Sequence, residues 1–215
     1  MKKITKGDII TIILCLCGII PGTVTYNKLP EKVPVHFNLK MNPDNYAPKA
    51  VVVFLLPVIM LCLQILICFL ANITTNKHIK KGKVPKKMQA VFKMFVPTLC
   101  IVIETATVMF TLGIYKNIGV IIISVIGLMF VLIGNYIPKC RRNSHIGIKL
   151  PNTLKSNYVW DKTHRFAGWI WTLGGILLIA LAIFEKYVFA LAALLLMSIV
   201  PVIYSFTLKD KEQQK

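Results

Sequence analysis

The sequence is poor in acidic residues and in charge of either sign. Only 8 of its 215 residues are Asp or Glu, and charged residues make up 16% of the chain. A soluble domain has about 25% charged residues, so this composition disfavours a soluble globular protein. Hydrophobic residues account for 56% of the chain, which excludes intrinsic disorder because disordered chains have low hydrophobicity.

The sequence also lacks the motifs of several common enzyme classes. It contains no nucleophile elbow, no His-Glu-x-x-His zinc motif, no Walker loop and no dinucleotide-binding glycine pattern. We therefore predict that the protein is not an enzyme and that it binds neither a cofactor nor a metal.

Long apolar runs dominate what is present. About 20 apolar helical residues cross a hydrocarbon core of about 30 Å, and six stretches come close to this length. They are Ile9–Tyr26, Ala50–Ala71, Phe95–Ile114, Ile118–Ile137, Phe166–Phe184 and Val188–Leu208. The sequence thus predicts an all-α membrane protein, a bundle of six transmembrane helices in the cell membrane. Pro21 and Gly22 indicate that the first helix ends early.

The basic residues alternate between the segments that join these spans. The net charge is +18, from 26 Lys and Arg against 8 acidic residues. Twenty of the basic residues fall in the N-terminus, the second and fourth loops and the tail, and six fall in the other loops. Because basic loops stay in the cytoplasm, we predict cytoplasmic termini and one sizeable outer loop, 27–49. This distribution favours contact with an anionic lipid bilayer over direct binding of nucleic acid.

The same pattern divides the chain into three parts. Residues 1–72 are predicted to form an N-terminal module of two spans and the outer loop. Residues 73–94 form a basic cytoplasmic loop, and residues 95–215 form a four-span region with a distinctive loop at 138–165. Most of the six cysteines lie within spans, so they predict no disulfide framework.

Glu104 is the one charged residue inside a predicted span. A charge at that depth costs roughly 3 kcal/mol and faces protein or water rather than lipid. Glu104 shares a polar helical stripe with Pro97, Cys100, Thr107 and Thr111. Two interpretations stay open: a ligand-binding or proton-coupled site, or a protonated side chain that hydrogen-bonds between helices.

Polar residues in two other spans are the expected partners of Glu104. They are Gln64 in the second span and Asn135 in the fourth. The fourth span also carries small residues on one face, including Gly127 and Gly134, which predicts close approach of another helix.

The outer loop predicts a short extended structure. Val33, Val35 and Phe37 alternate with other residues, as in a strand with one buried face, and an Asn-Pro-Asp-Asn run follows as a turn. His36 and Asp44 are candidates for contact with a metal or an incoming peptide, although two ligands do not make a metal site. The alternative is a small cap that stabilises the ends of the spans.

The fourth loop predicts the start of a helix. Ser156 is a suitable N-cap for a helix that continues into the fifth span. On that helix Trp160 and His164 lie one turn apart on a common face. Asp161 and His164 suggest an acid/base pair, but residues three apart can equally hydrogen-bond on a helix surface.

These two loops carry a family resemblance. The segment from Gly134 to Gly168 resembles the signature of the SdpI family of bacterial membrane immunity proteins. Its matching residues are Asn143, Gly147, Lys149, Pro151, Thr153, Trp160, Thr163, His164 and Arg165. The outer loop resembles a short module of unknown function that often precedes this signature, and its matching polar residues are His36, Asn38, Asp44 and Lys49.

Three positions depart from the family pattern. Lys149 stands where the family has Arg, and Asn152 stands where it has an aromatic residue. A glycine of the outer-loop turn is replaced near Met41–Asn42. Lys149 keeps the positive charge but loses the two-pronged hydrogen bonding of a guanidinium group.

The resemblance implies a non-enzymatic function. A protein of this family protects its cell against a secreted, membrane-active peptide toxin. It also acts as a receptor that draws a winged-helix autorepressor to the cytoplasmic face of the membrane. The nine signature residues would then be the functional core, with Glu104 contributing inside the membrane.

Three rival functions would use other features of the chain. A small transporter or exporter would use a cavity at Glu104 and Gln64. A membrane-embedded enzyme would work through His164 and Asp161, and a structural membrane subunit would need none of these residues.

Overall fold

The computed structural model describes residues 4–73, 86–143 and 146–208. Six of its helical segments are long and apolar enough to cross a membrane, which confirms the predicted all-α bundle of six spans. They are Lys6–Lys28, Val51–Phe69, Lys87–Thr111, Ile118–Lys139, Asn157–Ile183 and Tyr187–Thr207. Most of the predicted basic loop 73–94 lies outside the described residues.

The described part of the chain folds into eight α-helices and one hairpin, with short 3-10 and π-helical turns between them. The helices are α1 (Lys6–Cys17), α2 (Ile20–Thr25), α3 (Leu56–Ile73), α4 (Lys86–Thr111), α5 (Ile118–Tyr136), α6 (Pro151–Lys155), α7 (Asn157–Ile183) and α8 (Tyr187–Thr207). Between α2 and α3 lie two antiparallel strands, β1 (Lys32–Phe37) and β2 (Pro43–Pro48). We call this end of the bundle the hairpin end, and the opposite end, where α1 begins and α8 ends, the terminal end.

The spans form two groups of three. Helices α1, α3 and α4 pack together, and α5, α7 and α8 form the second group, which meets the first where α4 packs on α5. Large apolar side chains cover the outside of both groups, among them Ile13, Leu63, Ile176 and Leu195. This apolar outer surface suits a bundle surrounded by lipid.

Paired glycines bring α5 and α7 into backbone contact. A Cβ added to Gly127 would lie 2.6 Å from the carbonyl oxygen of Gly175. A Cβ added to Gly134 would lie 2.8 Å from the carbonyl oxygen of Gly168. The small-residue face predicted for the fourth span is therefore the contact surface for α7.

Pro21 interrupts the first span, as predicted. Proline has no N–H to donate to the carbonyl four residues earlier, and that carbonyl belongs to Cys17, where α1 ends. Pro57 explains a second irregularity in the same way. It cannot bond to the carbonyl of Val53, and the preceding turn, Val51–Leu55, is a π-helix.

Two further prolines lie inside helices, and a neighbouring helix supplies the missing donor for each. Pro97 leaves the Lys93 carbonyl without its helical partner, and Gln64 Nε2 donates to that oxygen at 3.2 Å. Pro201 likewise leaves the Met197 carbonyl without its helical partner, and Trp171 Nε1 donates to that oxygen at 2.9 Å. These side-chain donors allow the prolines to remain within the hydrocarbon region.

The outer loop forms the predicted extended structure, with a register shift on each side of His36. Val33 pairs with Ala47 and is fully buried. The pairing register shifts between Pro34 and His36, and Val35 is 39% exposed. The predicted alternation fails at Val35 because a bulge inserts an unpaired residue and turns the following side chains.

The Gln64 contact yields a stability prediction. Gln64→Leu is expected to lower the free energy of unfolding by about 1 kcal/mol, because it leaves the Lys93 carbonyl and the Thr11 hydroxyl without a donor. Adding Pro97→Ala restores a backbone N–H that can donate to the Lys93 carbonyl. The double variant should therefore recover part of the lost stability. Thermal unfolding in detergent micelles measures both variants, with Pro97→Ala alone as the control. If Gln64→Leu lowers the free energy of unfolding by the same amount with and without Pro97→Ala, the hydrogen bond from Gln64 to the Lys93 carbonyl is not the cause of the loss.

Candidate functional site

His164 is the centre of a folded segment at the terminal end. Its Nε2 accepts a hydrogen bond from the backbone N–H of Ile148 at 2.9 Å, so Nδ1 carries the proton and donates to the Trp160 carbonyl at 2.7 Å. The imidazole also stacks on the Trp160 ring with a centroid distance of 4.0 Å. The predicted common face of Trp160 and His164 is confirmed, and both side chains are fully buried.

Gly147 allows the loop to cross directly over these two rings. Its φ is +142°, a conformation that favours glycine. An added Cβ would lie 2.5 Å from His164 Nε2 and 2.6 Å from the Trp160 ring. On the other side, Trp160 Nε1 donates to the Cys140 carbonyl at 2.8 Å.

Asn143 and Thr153 shape the backbone on either side of Gly147. Asn143 Oδ1 accepts from the N–H of Ile146 at 2.8 Å, and its Nδ2 donates to the Arg141 carbonyl at 2.8 Å. Thr153 Oγ1 accepts from the N–H of Leu150 at 2.9 Å. Five signature residues therefore hydrogen-bond or pack within the segment itself: Asn143, Gly147, Thr153, Trp160 and His164.

The helix that carries Trp160 and His164 begins as predicted. Ser156 caps α7 by accepting a hydrogen bond from the N–H of Val159 at 3.4 Å. This cap fixes the first turns of α7, from which Trp160 and His164 project.

The other signature residues occupy different environments. Lys149, Pro151 and Arg165 are exposed, whereas Thr163 is fully buried. The Thr163 hydroxyl has no hydrogen-bond partner within the described part of the chain. The single functional core expected from the sequence thus divides into a buried scaffold and an exposed surface.

That exposed surface is strongly basic. It also includes four further exposed cations, Lys139, Arg141, Lys155 and Lys162, and Asp161 is the one acidic residue of the sequence between 137 and 166. The arrangement suits an anionic partner at the terminal end.

The acid/base pair suggested by the sequence does not form. Both ring nitrogens of His164 bond to backbone groups of Ile148 and Trp160. Asp161 is exposed on the surface of α7, while His164 faces the folded segment. Across the ranges 4–73, 86–143 and 146–208, no cluster of three or more His, Cys, Asp or Glu could hold a metal ion.

Asn152, which departs from the family pattern, has a clear contact. Its Nδ2 donates to the carbonyl of Ser205 at 2.6 Å and reaches the Ser205 hydroxyl at 3.2 Å. These bonds tie α6 to the end of α8, so a polar side chain at this position connects the signature segment to the last span.

Glu104 lies in the half of α4 nearer the hairpin end. It is 4% exposed, and its Oε1 has no hydrogen-bond partner among the residues that the structure describes. A Cβ added to Gly22 would collide with this oxygen and with Val53. Gly22 follows the break after α1, and Val53 lies in the π-helical turn, so the carboxyl group faces two irregular backbone segments.

The partners predicted for Glu104 are wrong. Gln64 is eleven residues beyond Val53, about 16 Å along the helix axis, and it binds Thr11 and the Lys93 carbonyl instead. Asn135 is exposed and lies at the terminal end of α5. Both residues are therefore at the opposite end of the bundle from Glu104.

The four polar residues predicted in the outer loop shape the hairpin. His36 Nδ1 and Asp44 Oδ1 pair across the strands at 2.6 Å. Asn38 Oδ1 accepts from the backbone N–H groups of residues 40 and 42 at 2.9 and 3.1 Å, which closes the turn. Lys49 pairs with Glu31 at 3.0 Å and lies over the Tyr26 ring, which ties the hairpin base to the first span.

Sequence reasoning missed a buried ion pair at the terminal end. Lys93 Nζ lies 2.8 Å from Asp8 Oδ1 and also donates to Thr5 Oγ1, and Asp8 is 1% exposed. The predicted first span begins at Ile9 and therefore leaves Asp8 outside it. The signal was present, since Thr5-x-x-Asp8 is a capping-box pattern and the structure forms that box.

The packing over Gly147 yields a reactivity prediction. Burial raises the pKa of the Cys140 thiol to about 11, so at pH 8 the thiol is protonated and alkylates slowly. Gly147→Ala should displace Trp160, expose Cys140 and increase its alkylation at least tenfold. Peptide mapping by mass spectrometry after iodoacetamide treatment measures this.

The matched control is Gly113→Ala. Gly113 also has a positive φ, of 71°, but nothing lies within 4 Å of an added Cβ. Cys140 should remain unreactive in that variant. An equally unreactive Cys140 in Gly147→Ala would refute the packing described here.

Comparison with known proteins agrees with this architecture. Residues 139–205 match the model of the SdpI/YfhL protein family, and residues 12–61 match a domain of unknown function, DUF1648. The chain is 26% identical to immunity protein SdpI of Bacillus subtilis (strain 168) over 197 residues, which cover 91% of each protein. No solved structure matches the chain. The protein is thus similar to the SdpI/YfhL family over residues 139–205, and it is a multi-pass protein of the cell membrane.

Proposed function

We propose that the protein confers immunity against a secreted peptide toxin by stoichiometric binding rather than by catalysis. The observation that carries this proposal is the similarity to an immunity protein over 91% of both chains. The neutral, doubly hydrogen-bonded His164 supports a binding function, because neither of its ring nitrogens is available to a substrate.

Charge supports one orientation of the bundle. The N-terminus, the second and fourth loops and the tail carry twenty of the 26 basic residues in the sequence, and positively charged segments stay in the cytoplasm. The hairpin end, with β1 and β2, then faces the outside and is the end that a secreted toxin reaches first. Both termini and the signature segment face the cytoplasm.

A survival assay tests the immunity function. The protein is expressed in a sensitive Gram-positive host that is challenged with a secreted, membrane-depolarising peptide. Survival of cells with the wild-type protein, and not of cells with an empty vector, is the expected result. If toxins of this class kill both strains equally while the protein is present in the membrane, the proposal fails.

Glu104 is proposed as the intramembrane contact of this function. Its orphaned oxygen and the two irregular segments beside it lie in the half of the bundle nearer the hairpin end. Buried polar groups without a partner are costly, so a group retained there without a hydrogen bond is suited to an incoming donor.

Glu104→Gln should therefore reduce protection at least tenfold while leaving membrane abundance unchanged. The amide keeps the shape of the side chain but replaces one acceptor oxygen with an NH₂ donor. Survival at graded toxin doses and immunoblotting of membranes provide the two measurements. Glu185→Gln, at an exposed carboxylate in the loop before α8, is the matched control. Full protection by Glu104→Gln would instead assign Glu104 a structural role.

We further propose that the basic surface of the signature segment binds a transcriptional repressor. Lys149 and Arg165 are exposed on it, while the buried members of the signature hold the surface in shape. Such a division allows the cytoplasmic partner and the toxin to use opposite ends of one bundle.

The double variant Lys149→Gln/Arg165→Gln should keep full protection but lose at least half of toxin-dependent reporter induction. Each neutralisation removes roughly 1 kcal/mol of attraction to an anionic partner. Lys28→Gln/Lys32→Gln, at the hairpin end, is the control and should change neither readout. Normal induction in the first variant would show that this surface does not hold the repressor.

A small transporter is the second candidate function. The observation that favours it is the position of Glu104 beside a broken helix and a π-helical turn, since transporters often bind substrates at discontinuous helices. Flux into proteoliposomes that stops with Glu104→Ala would support this alternative over immunity.

A further inference from the structure

An apolar groove runs beneath the hairpin, at a distance from Glu104 and from the signature segment. Its volume is about 210 Å³, and one wall is the hairpin tip with Phe37, Leu39 and Met41. The opposite wall includes Ile126 of α5 and Leu194 of α8. These two residues lie seven or eight positions beyond the starts of their helices, which places the bottom of the groove about 11 Å below its mouth.

Met41 forms the roof of the groove near its mouth. Its φ is +59°, an uncommon backbone conformation for a residue with a side chain. The Met41 side chain lies over Gly119, where an added Cβ would be 2.7 Å from Met41 Cγ and 2.9 Å from the Tyr187 ring. The tip of the hairpin is thus seated between the first turns of α5 and α8.

Lysines flank the mouth of the groove. Lys40 lies between the lining residues Leu39 and Met41, Lys186 immediately precedes the lining residue Tyr187, and both lysines are exposed. The neighbouring acid, Glu185, accepts a hydrogen bond from Asn117 Nδ2 at 2.6 Å. The two lysines outnumber this one carboxylate, so a largely apolar interior opens onto a rim with net positive charge.

We infer that this groove binds one anionic phospholipid from the leaflet at the hairpin end. Its acyl chain lies against Ile126, Leu191 and Leu194, and its phosphate meets Lys40 and Lys186. The lining makes the interior unsuitable for water, and acyl chains are the apolar molecules that always surround this depth of the bundle. The rim adds selectivity for an anionic head group, as basic pockets between transmembrane helices do.

Native mass spectrometry of the detergent-solubilised full-length protein tests this site. Phosphatidylglycerol and phosphatidylcholine with identical acyl chains are titrated separately. We expect one tightly bound phosphatidylglycerol, with clearly weaker binding of phosphatidylcholine. Equal binding of the two lipids would overturn the proposal.

Matched variants then locate the lipid. Leu191→Trp fills the groove and should weaken phosphatidylglycerol binding at least tenfold. Leu195→Trp, the same change one turn along α8 at a residue that does not line the groove, should leave it unchanged. Lys40→Gln/Lys186→Gln should weaken binding roughly 25-fold, at about fivefold for each lysine, and Lys28→Gln/Lys32→Gln should have no such effect.

Two outcomes would overturn the assignment of the groove. One is unchanged phosphatidylglycerol binding in Leu191→Trp, with unchanged circular dichroism confirming that the variant is folded. The other is equal loss of binding in Leu191→Trp and Leu195→Trp. Loss of toxin protection in Leu191→Trp with intact lipid binding would also contradict it and would indicate a peptide occupant instead.

Discussion

A backbone carbonyl that lacks a donor inside hydrocarbon is costly, and this constraint explains where several polar side chains of the bundle lie. Pro97 and Pro201 each free one carbonyl, and Gln64 and Trp171 each reach across to a neighbouring helix to bond it. One such bond stabilises each group of three spans. Polar residues inside the spans are therefore mainly part of the packing. Glu104 and Thr163 are exceptions for which the described structure shows no such partner, and Glu104 is the ionisable one of the two.

The spans, the hairpin and the start of α7 could be predicted because their signals are local. Apolar length predicts a span, turn residues predict the hairpin, and the Ser156 hydroxyl predicts the first turn of a helix. The surroundings of Glu104 could not be predicted in this way. They depend on how far each helix extends along the membrane normal, and a single sequence does not contain that distance. Gln64 and Asn135 have suitable chemistry but lie at the wrong depth.

The signature motif likewise does not predict which of its residues are buried and which are exposed. His164 and Arg165 are neighbours in the chain, yet the first is fully buried and the second is exposed. The motif alone marks both as important, and only their burial separates the residue that shapes the segment from the one that can meet a partner. The tight contact of α5 with α7 sets this division, because it holds the chain after α5 against the first turns of α7.

The seating of Met41 over Gly119 restricts how this sequence can change. Met41→Gly would relax the backbone but empty the space above Gly119, whereas Gly119→Ala would fill that space while Met41 still occupies it. The two positions are therefore expected to vary together among homologues, with the change at 41 preceding any enlargement at 119. This dependence would make the outer turn slow to diverge, even though it is a short loop on the surface of the protein.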